Sequence, residues 1–133
     1  MRKIVVILAS LLPAIAVTVA NAAPASAFGS ERLGCYVTPN RTVPPPVSSQ
    51  CSTGMTASSY TATFEVLNES GSYSYTWSVP APYTSTISRG CGTGDDVCVL
   101  SNLSASSEVT VSVTIRQNGH SATLHATAYT PPL

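Results

Sequence analysis

Two runs of strict alternation meet at an Asn-Gly pair near the C-terminus, and no other stretch of this chain leaves folding so few choices. Val109, Val111, Val113 and Ile115 alternate with Thr110, Ser112 and Thr114. After Asn118-Gly119, Ala122, Leu124, Ala126 and Ala128 alternate with Ser121, Thr123, His125 and Thr127. Successive side chains of a strand point to opposite faces, so each run has one apolar face and one hydroxyl face. Asn-Gly suits a two-residue type I′ turn, because both positions need positive φ. Centring the turn there sets Gln117 opposite His120. The register then pairs Ile115 with Ala122, Val113 with Leu124, Val111 with Ala126 and Val109 with Ala128. A slip of one residue would ruin all four apolar pairs. Large aliphatics facing alanines predict a closely packed partner over the second strand.

The same period of two recurs upstream. Tyr60, Ala62, Phe64 and Val66 alternate with Thr61, Thr63 and Glu65, and Asn68-Glu69-Ser70-Gly71 follows as a turn. Tyr73, Tyr75, Trp77 and Val79 then alternate with serines and a threonine until Pro80 and Pro82 stop the strand. A weak strand is expected near Thr84 to Ser88, and another from Val97 to Leu100. No mature segment shows a helical stripe. Short strands with one apolar face each predict an all-β fold, an antiparallel two-sheet sandwich of about six or seven strands. A closed barrel satisfies the same periodicity. Trp77, Val111, Val113, Ile115 and Leu124 are expected at the centre of the core.

The N-terminus reads differently. Arg2 and Lys3 precede an uncharged apolar run from Ile4 to Ala20, and small residues end in Ala25-Ser26-Ala27. That order is a secretory signal peptide, 1–27, with cleavage expected after Ala27 and Ala20-Asn21-Ala22 as the second choice. The mature chain is then one domain-sized unit of 106 residues, with no membrane span and an extracellular destination. Its first part, 28–55, reads as a Pro-rich arm: Pro39, Pro44, Pro45 and Pro46 exclude a helix and disfavour a central strand, though Gly34 to Thr38 allows a short edge strand. Residues 56–133 form the sandwich domain.

All four cysteines lie in the mature part, and an even count in an exported chain implies disulfides. Three pairings are possible. Encounter probability favours Cys35–Cys51 with Cys91–Cys98, since short loops close at lower entropic cost. Neither histidine stands at zinc-ligand spacing from a cysteine pair. Charge is sparse: Lys3 is the only lysine, and four mature arginines, Arg32, Arg41, Arg89 and Arg116, are scattered. Such a set offers no electrostatic footprint for nucleic acid or anionic lipid. Solubility rests on Ser and Thr, nearly a third of the mature residues.

Tyr75-Thr76-Trp77-Ser78-Val79, followed by Ile87 and Gly90, then Val109 to Ile115 and a last strand after Asn118-Gly119, resemble the bacterial Ig-like and PKD-like domains. The resemblance covers roughly Tyr60 to Thr130 and implies an Ig-like β-sandwich with an inward Trp against a Val-rich strand. The antibody Tyr-x-Cys pattern and the W-x-F-G-D-G run of many PKD repeats are absent. Cys91 and Cys98 followed by Val99-Leu100-Ser101 also look like the second bridge of the neocarzinostatin-type apoproteins, small exported sandwiches with two short-range disulfides.

Residues able to carry chemistry are few. His120 sits at the hairpin turn, and His125 faces Ser112 in the expected register, with Glu108 or Asp96 as an orienting carboxylate; a solvated polar face explains the same alternation better than catalysis. Asp95, Asp96, Glu65 or Glu108 could serve a two-carboxylate glycosidase site, but a small sandwich implies no deep cleft to hold one. Gly90-Cys91-Gly92-Thr93-Gly94-Asp95-Asp96 is the best candidate for a site: Asp95 and Asp96 are hard oxygen donors for calcium, and equally ordinary turn residues. Tyr36, Tyr83 and Tyr129 are the candidate ligand-contact aromatics. Asn40, Asn68 and Asn102 stand in N-glycosylation patterns. The expectation is a secreted module without enzyme activity or cofactor, acting by surface contact with an extracellular protein or glycan. The competing class is a small secreted inhibitor or ligand carrier, acting through a disulfide-constrained loop between Thr38 and Gln50.

Overall fold

A computed structural model of the chain describes residues 28–39 and 48–133. The expected signal peptide, Asn40 and most of the proline run lie outside the described residues. Two four-stranded sheets enclose one core. The first has the order β1 (Arg32–Thr38), β3 (Tyr60–Leu67), β6 (Val97–Leu103), β5 (Ile87–Gly90). The second has the order β2 (Gln50–Ser52), β8 (His120–Tyr129), β7 (Glu108–Gln117), β4 (Ser74–Ser78). All pairings are antiparallel except that of β2 with β8.

The terminal hairpin has the register its sequence dictates, from Gln117 opposite His120 to Val109 opposite Ala128. Asn118 and Gly119 take φ of 49° and 80°, as a type I′ turn requires. The alanines of β8 serve the packing partner expected over them: β1 lies against β8, with Ala126 and Ala128 buried beneath it. The Cys35 sulfur comes within 3.4 Å of the Thr127 carbonyl oxygen.

Four readings are refined. Within the expected Pro-rich arm, the short edge strand allowed at Gly34 to Thr38 is present as β1, an edge strand two residues longer whose Leu33, Cys35 and Val37 are buried in the sandwich core. The Pro44 to Pro46 run follows it in the sequence and lies outside the described residues. With β2 this makes eight strands among the described residues. Trp77 and Leu124 are half-buried rather than central. The largest fully buried side chains are Tyr60, Phe64, Leu33, Leu100 and Leu103, set against Val109, Val111, Val113 and Ile115. Tyr60 is tolerated there because its hydroxyl accepts the Ala57 N–H at 2.8 Å. Finally, Ala81–Thr86 is a 3-10 helix, and the strand begins only at Ile87. Pro80 and Pro82 preset its φ, and the Thr84 and Thr86 hydroxyls donate to carbonyls three residues back.

Both disulfides join the favoured partners, Cys35–Cys51 and Cys91–Cys98. The first links β1 to β2 and so joins the two sheets. The second closes the loop between β5 and β6 within one sheet. Among the described residues no helix is long and apolar enough to cross a membrane.

Candidate functional site

The outer face of the β2-β8-β7-β4 sheet is an ordered grid of hydroxyls. Registers across β4, β7 and β8 set Thr76, Thr114 and Thr123 in one row, and Ser78, Ser112 and His125 in the next. Thr110 and Thr127 follow, with Gln50 on β2 beyond them. This is the polar half of the same alternation that buries Val109, Val111, Val113 and Ile115. Cross-strand hydroxyls bond one another, Thr110 to Thr127 at 2.8 Å and Thr114 to Thr123 at 2.9 Å. The face is thus laterally stiffened and exposes ordered hydroxyls with little charge.

Ser112 and His125 do lie opposite each other. The carboxylates expected to orient the imidazole are elsewhere: Glu108 is four residues back on β7, opposite Tyr129, and Asp96 sits in the 91–96 loop. The register therefore brings together a serine and a histidine, without the third member an activated nucleophile needs.

At the end of this face the hairpin turn and β4 form an open recess of about 380 Å³, lined by Ser74, Arg116, Gln117, Asn118, Gly119, His120 and Ser121. Arg116 stands between Ser74 and Ser121 in the register and donates from Nη1 to Thr76 Oγ1 at 2.9 Å. Gln117 Nε2 donates to the Ser70 carbonyl at 2.7 Å. Gly71, at φ 86°, makes room for this amide, since a Cβ there would lie 2.9 Å from Nε2. The Phe28 ring stacks on His120 with centroids 5.5 Å apart.

The glycine-rich loop has a structural occupation. Asp95 Oδ2 accepts the Gly92 N–H at 2.8 Å and the Asp95 N–H donates to the Gly92 carbonyl at 3.2 Å, which closes a tight turn. The loop backbone then reaches both sheets. Val66 N–H of β3 donates to the Asp96 carbonyl at 2.9 Å, Tyr75 N–H of β4 to the Thr93 carbonyl at 3.0 Å, and the Trp77 indole N–H to the Asp95 carbonyl at 2.8 Å. Gly90 starts the loop at φ 72°, where a Cβ would fall 2.0 Å from the Val97 carbonyl oxygen. Among the described residues no group of three His, Cys, Asp or Glu side chains is placed to hold a metal ion.

Of the candidate aromatics, Tyr83 and Tyr129 both lie at Glu108, and Tyr36 is apart from them. Tyr36 lies on β1 opposite Thr63, on the other sheet's outer face. Tyr83, in the 3-10 helix, donates from its hydroxyl to the Glu108 carbonyl at 3.3 Å, and Tyr129 stands opposite Glu108 at the end of β8. Asn102 is exposed on β6, and Asn68 donates from Nδ2 to the Ser30 carbonyl at 3.2 Å.

Sequence reasoning missed a pair of tyrosine–carboxylate contacts near the β3–β4 turn. The Tyr73 hydroxyl donates to Glu31 Oε1 at 2.6 Å, and the Tyr75 hydroxyl to Glu69 Oε1 at 2.5 Å. Burial pushes the Glu31 carboxyl up, but the Tyr73 hydroxyl with the Gly29 and Glu31 N–H groups overcomes this and holds it below its ordinary value. Glu69 goes the other way. Desolvation lifts it, the Tyr75 bond only partly offsets that, and Asp96, Glu31 and Glu65 add like-charge repulsion. Desolvation and the bond to Glu69 together push the Tyr75 phenol well above its ordinary range. The only hint in the sequence is two tyrosines in alternation just after an acid-bearing turn.

No protein-family model, curated protein or solved structure matches the chain.

Proposed function

We propose that this chain is an exported, non-catalytic Ig-like module that works by surface contact with a cell-surface, glycan or protein ligand. The sheet orders β1-β3-β6-β5 and β2-β8-β7-β4 support the Ig-like reading: an Ig constant-type domain pairs its first, second, fifth and fourth strands in one sheet, and its third, sixth and seventh in the other. Here β2 adds a short parallel strand beside the last one. Paired cysteines and the N-terminal sequence pattern support export.

The observation that carries the reading is the grid of ordered hydroxyls across β4, β7 and β8, a broad surface rather than a cleft. Its test is capture by the mature protein from culture supernatant and from washed cell surfaces. Charge-free disruption of the face by Thr114→Leu with Thr123→Leu abolishes capture if the face is the contact, and leaves it intact if another surface serves.

A second reading, an inhibitor or ligand carrier acting through the connection between β1 and β2, is favoured by the Cys35–Cys51 bridge that closes that connection. Limited proteolysis separates the two. An inhibitory loop resists cleavage or is cut slowly at one bond, whereas a plain connection is cut rapidly at several.

A further inference from the structure

We infer that the recess at the hairpin end binds a carboxylate-bearing sugar, with Arg116 as the carboxylate clamp. The inference rests on the surface-contact reading and specifies the ligand class for one end of that surface. The seven lining residues supply a guanidinium, two serine hydroxyls, two side-chain amides, an imidazole and the backbone of a tight turn, and none of them is an acid. A donor-rich recess with one permanent cation selects an anionic group.

Arg116 is held for that task. Its Nη1 donates to Thr76 Oγ1 on the neighbouring strand at 2.9 Å, which restrains the guanidinium. Planar carboxylates match this fork bidentately, and a point charge such as lysine would not reproduce it. His120 is braced by the Phe28 ring and Gln117 by the Ser70 carbonyl, so the rim is ordered before any ligand arrives.

The surroundings favour a sugar acid over an acidic peptide. From the recess the face continues through Thr76, Thr114 and Thr123 to Ser78, Ser112 and His125, all polar and shallow. Such a strip offers hydroxyl and imidazole partners to the hydroxyls of a glycan chain, and no apolar pocket for peptide side chains.

The test is an NMR titration of the mature protein with a tri-galacturonate, its methyl ester, a neutral trisaccharide and tri-glutamate. Tri-galacturonate should shift the amides of Ser74, Arg116, His120 and Ser121, with the methyl ester weaker by roughly tenfold or more. Arg116→Gln should cause a comparable loss, Arg116→Lys should not restore affinity, and Arg89→Gln on the other sheet should change nothing. A folded spectrum of each variant guards against loss of structure. Equal binding of acid and ester, undiminished binding by Arg116→Gln, or tri-glutamate binding as tightly as the uronate would each overturn the inference. If the neutral trisaccharide instead shifts Thr114 and Thr123 regardless of Arg116, this inference fails while the surface-contact reading stands. If no sugar shifts any resonance, the inference fails and the contact reading passes to the capture experiment.

Discussion

The two sheets are joined at opposite margins by different means. At the β1–β2 margin a covalent link reinforces the joint, since Cys35–Cys51 ties a strand of one sheet to a strand of the other beside the Cys35 N–H bond to the Ser48 carbonyl at 2.8 Å. At the β4 margin it is made of hydrogen bonds, from Val66, Tyr75 and Trp77 to one loop backbone. The disulfide there, Cys91–Cys98, joins no sheets; it shapes the loop that does. The first joint restrains the unfolded chain as well as the folded one, and the second exists only in the folded state. The loop has a further consequence: by taking the Tyr75 N–H it partly covers the outer edge of β4, which would otherwise present a pairing edge.

Both joints depend on the core between them, so the largest effect comes from breaking that core. Val113 is fully buried, and Val113→Asp would strand an unpaired carboxylate among aliphatics. The expected cost is several kcal/mol, a large share of the roughly 5 to 15 kcal/mol that holds an ordinary domain. Thr114→Asp, one residue on and facing outward, should cost about 1 kcal/mol or less in the same denaturant titration. Equal damage from both would mean the hydroxyl face is covered.

Removing each disulfide sharpens the comparison directly. At a sequence separation of 16, Cys35–Cys51 should be worth about 3 kcal/mol by chain entropy. Cys91–Cys98, at a separation of 7, should be worth about 2.4 kcal/mol. Double Cys→Ala variants measured by equilibrium unfolding should keep that order, with hydrogen exchange rising at Tyr75 and Val66 only when Cys91–Cys98 is lost. Faster exchange at those amides in the Cys35–Cys51 variant would mean that the margins are not independent. Trp77→Phe is subtler: it keeps an aromatic six-membered ring but removes the pyrrole half of the indole with its N–H to the Asp95 carbonyl, for a loss of about 1 kcal/mol from the bond.

The difference between the margins also explains what could be read from the chain beforehand. The β7–β8 hairpin was legible because its turn residues and both its strands are neighbours in sequence, so Asn118-Gly119 alone fixes ten cross-strand pairs. Strand β1 was legible as a short edge strand from Gly34 to Thr38, but its partner β3 is distant in sequence, so its place in the core was not. Trp77 was placed at the centre from its size and alternation, but β4 is an edge strand, and its indole turns to the 91–96 loop instead. The hydroxyl face was visible as alternation, while the row that sets Arg116 between two serines needed the β4–β7 register, which no turn signal specifies.

The smallest expected effect tests the chemistry near the β4 margin rather than its geometry. Glu69 carries a folded-state pKa above its ordinary value of 4.5, first through desolvation and then through repulsion from Asp96, Glu31 and Glu65, with the Tyr75 bond opposing. A raised carboxyl pKa means that the folded state holds this proton more tightly than the unfolded chain does. Below the unfolded value both states are protonated, and Glu69 adds no charge penalty. As pH climbs through 4.5 toward the higher folded value, the unfolded state ionises first and stability falls; above that window the loss is constant. Glu69→Gln removes the ionisation and leaves an acceptor for the Tyr75 hydroxyl. The variant should therefore melt slightly higher than the parent at neutral pH and no higher well below pH 4.5. Glu31→Gln should do the reverse, since its lowered pKa gives stability that is present above the unfolded value and lost as pH falls through the folded one. If both variants shift the melt in the same direction at neutral pH, the opposite assignments of these two carboxylates are wrong, and the tyrosine bonds rather than the charges govern the margin.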